Sequence, residues 1–170
     1  MAADCRVGLH TFTRRCWGVR EQRVGVPRQQ VYQWEYKYVY GAGEVLTGES
    51  QFRLMPSVNL EFTGGFLEQI AASDHGAEQV VSWARAGFHP APDAVLPARI
   101  HLLPLPPYSP ELNPVEWLWA PLRDVLGNRQ FATLEELAAA ATAVLRPFWE
   151  VRDKVKSLVF NWVQVQVNAT

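Results

Sequence analysis

The residues able to do chemistry in this chain are few, and two carboxylates stand in the most distinctive surroundings. Glu116 lies in Asn113-Pro-Val-Glu116, three positions after a side chain suited to cap a helix, and Asp4 heads the short run to Leu9. Carboxylates brought together hold hard divalent cations. Taken alone, however, Glu116 is a capping-box residue worth about 1 kcal/mol, and Asp4 is an ordinary aspartate near the N-terminus. His10, His75 and His101 form no metal-binding spacing and read as structural; His89 could orient a loop or approach a site, but reads first as a satisfied structural histidine. Cys5 and Cys16 lack the tight spacing of a metal or redox pair and read as free thiols. Arg14, Arg15, Arg20, Arg23, Arg28 and Lys37, interleaved with Trp17, Tyr32, Trp34 and Tyr36, could line a phosphate-contacting surface or simply form a solvated face.

Several elements must position these groups. From Val31 to Tyr40 aromatic and β-branched residues dominate, and Thr47-Gly-Glu49 offers a turn before Gln51-Phe-Arg-Leu-Met55, which reads as a hairpin. Phe66, Leu67 and Ile70 recur at helical spacing between Thr63 and Ala72, while Gln79–Trp83 and Ile100–Leu103 have the length of buried strands. Asn113 as cap, Pro114 at the first position and Glu116 closing a capping box open a helix whose buried stripe is Val115, Leu118, Trp119, Leu122 and Leu126. Thr133-Leu-Glu-Glu136 opens another in the same way, with Leu134, Leu137, Ala138, Ala141 and Leu145 inward and Pro147 as its end. A last helix carries Val151, Val155, Leu158, Val159 and Trp162. Strands first, then strands alternating with helices, make an α/β layered domain.

Length and composition set the limits. The 170 residues suit one domain, spanning 1–170, with a real core. At 48% hydrophobic and 19% charged, the chain is not a disordered one. No apolar stretch reaches the roughly 20 residues of a membrane helix, and Met1-Ala-Ala-Asp4 does not begin a signal peptide, so a cytoplasmic location is the default expectation. The net charge of −1 conceals an asymmetry: residues 1–40 hold seven Lys/Arg against three Asp/Glu, and residues 41–80 hold one against six.

The segment Leu105-Pro-Pro-Tyr-Ser-Pro-Glu-Leu-Asn-Pro-Val-Glu-Trp-Leu-Trp119, followed by Ala120-Pro-Leu-Arg123, resembles the block around the third acidic residue of DDE transposases of the mariner superfamily, in their bacterial insertion-sequence branch. Ala3-Asp-Cys-Arg-Val-Gly-Leu-His10, with Trp17 downstream, looks like the block around that family's first aspartate. Val80-Val-Ser-Trp-Ala-Arg-Ala-Gly-Phe-His89 resembles the second. The resemblance implies a ribonuclease H-like fold, with a mixed sheet that begins in an antiparallel hairpin and goes on to strands alternating with helices. It implies DNA strand cleavage and strand transfer, with transposon ends and target DNA as partners. Asp4 and Glu116 inherit the roles of catalytic residues and metal ligands, for a pair of Mg2+ or Mn2+ ions that activate the attacking oxygen and stabilise the leaving one.

The departures from the pattern matter as much as the match. Ala84 stands where the second aspartate belongs, and a methyl group cannot coordinate a metal. Arg85 adds positive charge beside it, which disfavours cations further. Asp93, nine positions on, could substitute only through an unusual loop. Cys5 replaces a glutamate often found after the first aspartate, and Glu21 a glycine. Only three residues precede Asp4, so the first strand is clipped or begins at Asp4, and the family's N-terminal helix-turn-helix region is expected to be missing. Two functions follow: an impaired transposase catalytic domain, or a non-catalytic remnant that binds DNA weakly or pairs with another copy through its C-terminal helices. His89 and Asn113 are the residues expected beside the site.

Overall fold

In a computed structural model of the chain, the residues described are 1–9, 15, 17, 34–73, 76–84, 87, 89–90, 94–107 and 109–159. Alternation of buried and open positions makes Ala2–Gly8 a strand (β1), which begins two residues earlier than Asp4. The hairpin is formed by Tyr36–Gly43 (β2) and Ser50–Met55 (β3), closed by a turn in which Gly48 takes φ 75°. That left-handed value suits glycine, and a Cβ there would meet the Arg152 carbonyl oxygen at 2.4 Å.

Asn59 opens the first helix, Leu60–Ser73 (α1), by accepting a hydrogen bond from the Phe62 amide at 2.7 Å. Two short strands follow, Gln79–Trp83 (β4) and Ile100–Pro104 (β5). All five strands form one sheet in the order β3-β2-β1-β4-β5, antiparallel from β3 to β1 and parallel from β1 to β5. β1 is thus central. Its pairing with β4 is at Ala2 and Trp83, so Asp4 lies beyond the point where β4 stops. Ligand crevices in open sheets form at such carboxyl ends of parallel strands.

Side-chain alternation in β1 divides the core. Ala2 faces α1 with Tyr40, Phe66, Leu67, Val81 and Trp83. Ala3, Cys5, Val7 and Leu9 face the other layer, built by Val115, Leu118, Trp119, Leu122, Leu126, Leu137, Ala141 and Leu145. That layer comprises Trp119–Leu126 (α2) and Leu134–Glu150 (α3). The stripe expected from Val115 to Leu126 is fully buried.

Three local expectations are corrected. Glu116 does not close a capping box. The Asn113 amide donates instead to the Pro110 carbonyl at 3.0 Å, and Pro114–Leu118 winds as a 3-10 turn before α2 begins. Pro147 does not end α3, which continues to Glu150. A proline near the C-terminal end forfeits one hydrogen bond, and its carbonyl still accepts from the Val151 amide at 3.1 Å. The first strand does not begin at Asp4, because Ala2 and Ala3 already pair with Ala42 and Gly41. Residues 152–159 are helical, as expected, with Val155 buried; Trp162 falls outside the described residues.

Candidate active site

Four elements converge where β4 stops beside β1. β1 supplies Asp4, which is half-buried, and the 3-10 turn before α2 supplies Glu116. Asn113 fastens that turn to the sheet: its side-chain amide donates to the Ala2 carbonyl at 2.8 Å while its oxygen accepts from the Val115 amide at 3.2 Å. Buried to 1% exposure, Asn113 therefore sets the distance between the strand carrying Asp4 and the turn carrying Glu116. The third contributor is the segment leaving β4, and α2 adds Arg123.

Glu116 has a carboxyl pushed up to about 6. Burial is the main cause and the neighbouring Asp4 charge adds to it; the Arg123 guanidinium and the edge of the Trp119 ring pull the other way. The buried Trp119 indole N–H has no partner in hydrogen-bond geometry. Cys5, next to Asp4 on the opposite face of β1, has a thiol raised chiefly by burial, partly countered by Arg123 and reinforced by Glu116 and Asp4. That the Asp4 charge raises Glu116 means the two carboxylates lie near each other.

His89 joins the site through both ring nitrogens. Nδ1 bonds to the carbonyl oxygen of Ala84, and Nε2 lies 3.2 Å from Asp4 Oδ1. Its ring packs on Trp83 with centroids 4.6 Å apart, and its side chain is 8% exposed. The histidine thus lies beside Asp4, buried and bonded through both ring nitrogens. Ala84 ends β4 at the same place, contributing only its backbone.

The remaining expected residues are dispersed or outside the described residues. His101 is an exposed partner of Glu78 at 2.7 Å on the far edge of the sheet. Arg15 is exposed and Lys37 half-buried on β2, while Arg14, Arg20, Arg23, Arg28, Asp93, Arg85, Cys16, Glu21, His10 and His75 fall outside the described residues. Sequence reasoning gave Arg123 no role, although it closes the Ala120-Pro-Leu-Arg123 block; that block was the available signal. A cavity of about 240 Å³ lies at the other end of β1 and β4, among Glu44, Glu49, Glu78 and the ammonium group of Met1.

The carboxylates present do not fit a pair of magnesium ions. Asp4 and Glu116 are two oxygen ligands where a two-ion centre uses three, the Ala84 methyl supplies none, and Arg123 adds positive charge. Among the described residues no three His, Cys, Asp or Glu side chains are already gathered for a metal ion.

The family model described as "DDE superfamily endonuclease" matches residues 6–138. The chain belongs to that family. Ala84, His89 and Glu116 of the chain lie inside the matched span, and Asp4 two residues before it. Over 125 residues it is 33% identical to the uncharacterized protein y4pE/y4sA of Sinorhizobium fredii (strain NBRC 101917 / NGR234), covering 72% of this chain and 93% of the relative. Its fold is similar to that in the crystal structure of the Mos1 mariner paired end complex with Mn, at TM-score 0.59 and 12% identity, over 93% of this chain and 52% of that one. The pre-cleavage Mos1 transpososome gives TM-score 0.59 and 13% identity, over 96% and 54%. The chain therefore has the ribonuclease H-like fold of transposase catalytic domains, and spans about half the length of the Mos1 chains it matches. Among its described residues no helix is long and apolar enough to cross a membrane.

Proposed function

We propose that this chain is a transposase catalytic domain for DNA strand cleavage and strand transfer, and that Ala84 leaves it impaired. The observation that carries the reading is the convergence of Asp4 and Glu116 at the carboxyl end of the parallel strands in a DDE endonuclease. Cleavage and transfer are one phosphoryl displacement with water or a DNA 3′-hydroxyl as attacker, to which a protein contributes position and charge. Asp4 and Glu116 would be the surviving carboxylates, with Asn113 and Arg123 holding Glu116. DNA is the partner, contacted by the basic N-terminal third.

The test is nicking of labelled duplex DNA, in magnesium or manganese, by the chain as it stands, by Ala84→Asp, and by Ala84→Asp combined with Glu116→Gln. Supplying the third carboxylate should raise the rate on the order of 10²-fold or more, and Glu116→Gln should abolish the gain. Equal rates for the chain and Ala84→Asp, or a gain that survives Glu116→Gln, would overturn the assignment.

A second reading is that the chain acts without catalysis, as a weak DNA-binding or self-associating module. Ala84 favours it. Intact DNA binding with no nicking by Ala84→Asp would select it.

A further inference from the structure

Past the point where β4 stops, β1 carries one more charged group on the face of Asp4. Strand alternation puts Arg6 there, away from Ala3, Cys5 and Val7, which enter the other core layer. Two residues of strand advance about 6.6 Å, so Arg6 borders the same crevice. Its side chain is exposed and, among the described residues, makes no ion pair. It is nevertheless held. Arg6 lies opposite Tyr38 in the β1–β2 register but reaches diagonally to Tyr36, with its guanidinium 4.6 Å over that ring. The ring in turn depends on Gly8, where a Cβ would collide with it, so the missing side chain lets Tyr36 lie against β1. Because β4 pairs with β1 at Ala2, no strand among the described residues covers that edge of β1 at Asp4 or Arg6.

We propose that Arg6, held by Tyr36 over Gly8, binds a backbone phosphate of DNA within about two nucleotides of the phosphate that faces Asp4, since one strand of DNA advances about 3.4 Å per nucleotide. A guanidinium stacked by its face keeps its N–H donors free around the rim, in the plane that matches two phosphate oxygens. The ring supplies the orientation and the charge supplies the attraction. Asp4 and Glu116 repel the anionic backbone they have to meet, and a fixed cation on the face of Asp4 offsets that repulsion. The proposal deepens the transposase reading and rests on DNA as its partner, but it is tested by binding alone, without cleavage.

The experiment is titration of a labelled duplex with the full chain, read by fluorescence anisotropy at several salt concentrations. Arg6→Gln should weaken binding about tenfold and flatten the slope of log K against log salt by about one. Arg146→Gln, which removes the same charge from the exposed side of α3 in the opposite layer, should change neither. Tyr36→Leu, which keeps every charge but loses the ring, should bind about threefold more weakly than Tyr36→Phe, which keeps the ring. That pair decides the matter if Arg6→Gln does not fold, as thermal unfolding of each variant will show. Affinity and slope unchanged in Arg6→Gln, an equal loss in Arg146→Gln, equal affinities for Tyr36→Leu and Tyr36→Phe, or no DNA binding by the chain would each overturn the site. Binding that depends on Arg6 without any nicking by Ala84→Asp would leave this site standing and remove the catalytic reading alone. Nicking by Ala84→Asp with binding indifferent to Arg6 would do the reverse.

Discussion

Glu116 is held where its charge is unwelcome, and that has a consequence for stability. Its carboxyl titrates at about 6 in the folded chain against 4.5 unfolded, so folding favours the protonated form. The stabilisation is therefore complete below about pH 4.5 and is lost as pH rises through about 6. Glu116→Gln, which stays neutral, should match the parent near pH 4 and exceed it at pH 8. After allowance for solvent screening of this half-buried group, the gain is on the order of 1 kcal/mol. Thermal unfolding of both proteins at the two pH values checks it, and a variant less stable at pH 8 would show that Glu116 is neutralised in the fold. At this scale the sequence was legible in types but not in contacts. The residue block named Glu116 and Asn113, but nothing in it says that the Asn113 amide reaches Ala2, because that bond joins residues 111 positions apart. His89 is among the candidates, but its bonds to the Ala84 carbonyl and to Asp4 are contacts that composition does not fix.

Elements were more legible, because each strand and helix advertises its own periodicity. β3, α1, β4 and β5 lie close to where the apolar patterns put them, β2 runs from Tyr36 to Gly43 where the pattern ran from Val31 to Tyr40, and Thr133 caps α3 through the Glu136 amide at 3.2 Å, as its spacing implied. The misplaced boundaries came from local rules overruled by packing: Pro147 sits inside α3 because Leu137, Ala141 and Leu145 already anchor that helix on the sheet. Where α2 crosses β2 the contact is close. A Cβ at Gly41 would meet the Trp119 ring at 2.8 Å and Phe52 at 3.2 Å. Gly41→Ala should accordingly cost about 1–3 kcal/mol by overpacking, measured by denaturant unfolding. Gly64→Ala, on α1 with open space around it, is the control.

For the molecule as a whole, charge is the informative quantity. The excess of basic residues lies before residue 41, and the acidic excess between 41 and 80. DNA binding through the six basic positions Arg14, Arg15, Arg20, Arg23, Arg28 and Lys37 should be insensitive to sequence and steeply dependent on salt, with log K falling against log salt at a slope of about −5. Titrating transposon-end and scrambled duplexes at two salt concentrations tests this; preference for the ends with little salt dependence would contradict it. The sheet has one more implication. β1 is first in the chain yet central in the sheet, flanked by β2 and by β4, and Asp4 and Glu116 are 112 positions apart. The β2–β3 hairpin can close early, since its partners are near neighbours in sequence, whereas β1 gains its parallel neighbour only after residue 83 exists. During synthesis the strand bearing Asp4 therefore waits with an open edge, and the site cannot assemble until Glu116 has been added.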